Sequence, residues 1–127
     1  MKVAYIVGCM RGIKDFNFPA FHKAAAFLRS RGWKVYNPAE MDGLDIPDPI
    51  TDKFLCGVMA RDCYFVTKAD TIALLPGWEK STFGAIEVHL AVELNKKFIN
   101  AETEETLTNV CWYSKLLLDK KVVLPPG

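Results

Sequence analysis

The sequence predicts a three-layer α/β domain of the Rossmann-like kind, built on a doubly wound parallel sheet of four to five strands. Three observations predict it. Short β-type runs alternate with segments of helical period along nearly the whole chain, the order that βαβ units produce. The runs Lys2–Val7 and Thr71–Leu75 are almost continuously apolar, as strands covered on both faces are. The chain has 127 residues, half of them hydrophobic and 24% charged, which suits one soluble domain, residues 1–127, with a core of its own.

Each element follows from local signals. Lys2–Val7 reads as a buried strand and Gly8–Asn17 as a loop. Asn17 is placed to cap a helix from Phe18 to about Arg31, with Pro19 in its first turn and Gly32 at its end. Trp33–Tyr36 is the second strand. Asn37–Pro49 is rich in Pro and Asp and has no period, so it reads as a loop near the site. A helix from about Thr51 to Lys68 leads to the third strand, Thr71–Leu75, which ends in the turn Pro76-Gly77. Ser81–Asn95 is helical and Lys97–Asn100 is the fourth strand. Thr103–Asp119 is a further helix with Thr103 as its cap, and Val122–Leu124 is a short last strand. Ligands of such sheets lie beyond the carboxyl ends of the strands, where the winding reverses. That rule gathers Gly8–Gly12, Pro76–Ser81 and the start of the helix at Ser81 into one crevice.

Composition excludes several partners. The formal net charge of +1 gives no bulk attraction to nucleic acid or to a membrane surface, and no apolar run is long enough to span a bilayer. Met1-Lys2 leads directly into a strand-like run, so no signal peptide is expected. Cys9, Cys56, Cys63 and Cys111 form no CxxC pair, and they read as reduced structural thiols of a cytoplasmic protein. Neither His22 nor His89 has a cysteine at ligand spacing, so no metal and no cofactor are expected.

Two acids stand in unexpected places. At about 100° per residue, His89, Glu93 and Lys96 share one polar stripe of their helix. Glu87 lies about 160° from His89 by the same arithmetic, among Gly84, Ala91 and Leu94, and therefore points inward. Asp62 repeats the pattern: it falls in the buried stripe of Leu55, Val58, Met59 and Val66, while Lys53, Arg61 and Lys68 lie on other faces. One inward acid is equally well a structural group satisfied by a backbone amide or by Arg11. Two, both near strand ends, point to paired carboxylates, one ionised to attack or stabilise a sugar cation and the other carrying a proton.

Around them, Gly8-Cys9-Met10-Arg11-Gly12 offers close backbone approach and a guanidinium for a phosphate, though it is neither a P-loop nor GxGxxG. Ser81 caps its helix and can face an anion there. Tyr5, near the end of the first strand, is a core residue or a catalytic one. Trp78 is a base-stacking surface or an oligomer contact, and Trp112 and Tyr113 are core or interface aromatics. The helix Ser81–Asn95 is apolar on most of its circumference (Phe83, Ala85, Ile86, Val88, Leu90, Ala91, Val92, Leu94). One sheet face cannot cover that, so a homodimer or larger homo-oligomer is expected.

Taken together, Tyr5 through Gly12, Asn37-Pro-Ala-Glu40, Arg61-Asp62, Ala69-Asp70 with Leu74 through Trp78, Ser81, and Gly84 through Glu87 resemble the nucleoside 2-deoxyribosyltransferase-like superfamily. Within it they are most similar to the small phage and bacterial proteins that carry the domain known as DUF4406. The resemblance covers about residues 2–100. It implies a flavodoxin-like fold, a homo-oligomer, and cleavage of the N-glycosidic bond of a (deoxy)nucleoside or its 5′-monophosphate. It implies Glu87 as nucleophile, Asp62 as the group assisting protonation of the leaving base, and Tyr5 as the group orienting the glutamate. Gly8, Met10, Arg11, Gly12, Ser81, Gly84 and Trp78 are the expected substrate- and phosphate-binding residues. Serine six residues before the nucleophile, together with Arg11, resembles the branch acting on nucleoside 5′-monophosphates. The alternatives are a transferase acting on free nucleosides and a non-catalytic module that binds or sequesters a nucleotide.

Overall fold

Alternating side chains send each strand's residues to two different cores, and this sets the layering. The computed structural model describes residues 2–42 and 46–121. Its strands are β1 (Val3–Val7), β2 (Lys34–Tyr36), β3 (Thr71–Leu74) and β4 (Lys97–Asn100). They form one sheet in the order β2-β1-β3-β4, with every pair parallel. The helices are α1 (Phe18–Ser30), α2 (Pro38–Asp42), α3 (Asp52–Lys68), α4 (Thr82–Glu93) and α5 (Val110–Lys121). On one face Ala4, Ile6, Ala73 and Ile99 pack against Phe21, Ala24, Ala25 and Leu28 of α1. On the other, Tyr5, Val7, Ile72, Leu74 and Phe98 pack against Val66 of α3, Val88 and Ala91 of α4, and Val110 of α5. The result is a three-layer α/β fold, as predicted, and the winding reverses between β1 and β3. Among the described residues no helix is long and apolar enough to cross a membrane.

Most elements lie within a residue or two of their expected bounds, and β4 matches them. Three differ for physical reasons. Asn17 precedes α1 in the left-handed region (φ 60°) without capping it; its amide instead donates to Cys9 O at 3.0 Å, tying the loop after β1 to the start of α1. Segment 37–49, expected as a loop, contains α2, which Asn37 starts by accepting the Ala39 N–H at 3.0 Å, with Pro38 as first helical residue. The helix expected from Thr103 begins only at Val110. Thr103 Oγ1 accepts from Glu105 N (3.3 Å) and Asn100 Oδ1 from Glu102 N (2.8 Å), so both side chains close turns. The chain then doubles back along β4, with Asn100 N donating to Glu105 O (2.8 Å) and Leu107 N to Phe98 O (2.9 Å). This return covers the outer edge of the sheet. The strand expected at Val122–Leu124 lies outside the described residues.

Candidate active site

The switch point between β1 and β3 opens into a cavity of about 260 Å³. Tyr5 comes to it from β1, Asp62 from α3 and Glu87 from α4. Glu87 stands in the second turn of α4, whose start is fixed by Ser81: its Oγ accepts the Gly84 N–H at 2.9 Å. Glu87 and Asp62 are each only 5% exposed, and the fully buried Tyr5 donates its hydroxyl to Glu87 Oε1 at 2.6 Å. A strand and a helix 82 residues apart in sequence thus meet at one hydrogen bond.

Burial, and then the nearby Asp62, push Glu87 up to about 8, against the lowering effects of the Tyr5 hydrogen bond and the Arg61 charge. Burial also raises Asp62, opposed chiefly by Arg61. The Tyr5 hydroxyl is raised well above its ordinary value by burial and by both acids, so it remains a donor. The same three causes raise the Cys63 thiol, which keeps it from acting as a thiolate. The nearby Asp62 charge disfavours ionisation of Glu87, so the two buried acids do not titrate independently.

Asp62 is held by its sequence neighbour. Arg61 Nε and Nη2 donate to Asp62 Oδ1 at 2.9 and 2.8 Å. The same Nη2 lies 2.6 Å from Asp42 Oδ1 at the end of α2. Asp42 also lines the cavity. Sequence reasoning missed both groups. Arg61 does leave the backbone on another face of α3, but its long side chain folds back to Asp62. Asp42 was lost with the unrecognised α2, although Asn37-Pro38 is a helix-start signal.

The mouth is cationic. Arg11 and Lys80 line it beside Ser81, Thr82 and Phe83, and the Arg11 guanidinium lies 5.0 Å from the centre of the Phe83 ring. Gly8 and Met10 also line the cavity. A Cβ on Gly8 would approach Leu75 Cδ1 to 2.9 Å and Phe21 Cζ to 3.0 Å, so this close strand-to-helix approach requires glycine. Much of the remaining lining is apolar, with Phe16, Ile46, Ile50, Phe54, Leu55 and Val58.

Three expected residues are not brought to the cavity. Gly12 turns the loop at φ +81° without lining it. Gly84 faces Ser81 Cβ and Trp78 O, each 3.1 Å from where its own Cβ would stand; it lets α4 start tightly against the turn Trp78–Lys80. Trp78 packs edge-on against Tyr113, ring centres 5.8 Å apart, in a separate groove shared with Trp112.

A three-layer parallel α/β domain with inward-facing acids and a cationic mouth at its switch point is the class that fold and site define. The chain belongs to the family described as a domain of unknown function, DUF4406, whose model matches residues 1–100. That span contains every residue lining the cavity and ends with β4. Comparison with curated proteins gave no match.

Proposed function

We propose that the protein cleaves the N-glycosidic bond of a (deoxy)nucleoside 5′-monophosphate by double displacement, with water or a second base as acceptor. The observation that carries this reading is the Tyr5–Glu87 hydrogen bond, made in the same cavity that Asp62 lines. The resemblance of these residues to the nucleoside 2-deoxyribosyltransferase-like superfamily supports it. Tyr5 occupies Glu87 Oε1, which leaves Oε2 to attack C1′ of the sugar. As the C1′–O bond forms, the C1′–N bond breaks and the departing base takes the proton of Asp62. Water, or the ring nitrogen of a new base, then attacks C1′ and returns a proton to Asp62, and the ester bond to Glu87 breaks. Attack requires the proton to lie on Asp62; in the substrate-free protein Glu87 holds a proton up to about 8, so substrate binding must leave Glu87 ionised and Asp62 protonated before C1′ is attacked.

Arg11, Lys80 and the capped start of α4 supply a cation pair and backbone donors for the phosphate. Binding energy gained there, away from the reacting bond, positions the sugar. The apolar lining suits a flat base. Exposed Ile86 (44%) of α4, Leu94 (43%) just beyond its end and Tyr64 (54%) of α3 support a homo-oligomer that covers them, and the four free cysteines support a cytoplasmic setting.

A panel of nucleosides and their 5′-monophosphates, followed for free base by chromatography, tests the proposal. Release of base from monophosphates in preference to nucleosides is the expected result. Equal kcat/KM on both would assign the transferase reading on free nucleosides, and tight binding with no base released would assign a nucleotide-binding module.

A further inference from the structure

Asp42, Asp62 and Glu87 all line the cavity, the Arg61 guanidinium lies against the first two, and the proposed displacement uses only two of the three carboxyl groups. The third, Asp42, is buried: its side chain is 6% exposed. It comes from α2, which follows β2, and no part of the proposed substrate needs it. Its partner is Arg61 Nη2, 2.6 Å away, the same nitrogen that donates to Asp62 Oδ1 at 2.8 Å. Arg61 Nε adds a second bond to that same oxygen, at 2.9 Å. Both Arg61 bonds therefore fall on Oδ1, so a proton carried by this acid belongs on Oδ2.

We infer that Asp42 and Arg61 are positioning residues for Asp62: a guanidinium shared between two carboxylates clamps the acid by one oxygen, so that the other carries the proton. The sharing is what makes the device work. A guanidinium devoted to Asp62 alone would hold it firmly ionised. Asp42 takes up part of that charge, keeping the clamp while leaving the acid able to bind a proton. Asp62 also faces Tyr5 from β1, Glu87 from α4 and Cys63 on its own helix, and Arg11 and Lys80 stand at the mouth of the cavity. Among the described residues Arg61 is the cation that hydrogen-bonds Asp62. Asp42 raises both Asp62 and Glu87 by its charge, and Arg61 lowers both, so removing the two partners must move the acids in opposite directions.

The inference rests on the proposed role of Asp62, but its test does not depend on turnover. The side-chain carboxyl carbon of Asp62 is followed by ¹³C NMR across pH in the wild type, Asp42→Asn and Arg61→Met. The Asp62 transition is expected at lower pH in Asp42→Asn and at higher pH in Arg61→Met. Loss of fold alone would not give this opposed pair of shifts. If Arg61→Met does not fold, Arg61→Lys replaces it: the charge stays but the two-bond fork is lost, and a transition displaced from the wild type is expected. In turnover, both limbs of the pH–rate profile follow the same directions, and Arg61→Met lowers kcat roughly tenfold or more with little change in KM. An Asp62 transition unmoved in Asp42→Asn, or moved the same way in both variants, overturns the inference. A wild type that releases no base from any substrate overturns the proposed reaction instead, and leaves the NMR result to decide this one.

Discussion

Replacing Glu87 by glutamine removes a buried ionisable group while keeping an oxygen for the Tyr5 hydroxyl. The folded protein holds the Glu87 proton up to about 8, whereas an exposed glutamate gives it up at its ordinary 4.5. Folded chains therefore bind more protons than unfolded ones across that interval, and the sign follows from linkage. The stability supplied by the protonated group is fully present below 4.5 and is lost as pH rises through 8. At about 1.4 kcal/mol per pH unit, the loss between about pH 5 and pH 9 is on the order of 4 kcal/mol. For 127 residues that corresponds to roughly 15 °C in Tm. Urea unfolding of wild type and Glu87→Gln at several pH values reads it as a difference. The wild type should lose stability relative to the variant as pH rises, with the steepest change before pH 8. Parallel stability curves would refute the reasoning, because they would mean that Glu87 ionises in the folded protein as it does in water.

Three further outcomes are expected. The pH profile of kcat/KM should be bell-shaped, its basic limb near the Glu87 value of about 8, since activity ends when the pair loses its last proton; a profile flat through that region would contradict the need for a proton within the pair. Arg11→Ala should reduce the preference for a 5′-monophosphate over the matching nucleoside by roughly 10–100-fold, on the scale of 1.5–3 kcal/mol for a hydrogen bond to a charged group, and an unchanged preference ratio would remove Arg11 from the phosphate site. Ser81→Ala should cost about 1 kcal/mol in urea unfolding through the lost cap on Gly84 N, and a loss no larger than that of an ordinary surface serine would mean that the cap is idle.

What could be read from the residues, and what could not, divides along the range of the interaction. The strands and the long helices follow from local period and punctuation, and the inward placement of Asp62 and Glu87 follows from helical arithmetic because both helices are regular. The same arithmetic missed Arg61. A helical wheel places a backbone attachment point, and a long flexible side chain can bring its charge to a neighbouring face. Thr103 misled because a hydroxyl that caps a helix also closes a turn. Here Asn100 and the free edge of β4 decide for the turn, a tertiary effect no window of sequence contains. Short motifs point Gly84 and Trp78 to a ligand, whereas the fold sets Gly84 against Ser81 and the Trp78 carbonyl and packs Trp78 on Tyr113. Glycine signals close approach without naming what approaches.

The central claim is that Glu87 forms a bond to the sugar. The most direct measurement is mass spectrometry of the protein quenched during turnover of a nucleoside 5′-monophosphate that releases base, followed by peptide mapping. The account predicts an adduct with the mass of the sugar phosphate on the peptide containing Glu87, absent from Glu87→Gln. Base release by Glu87→Gln at the wild-type rate, or an adduct on any other residue, would contradict it.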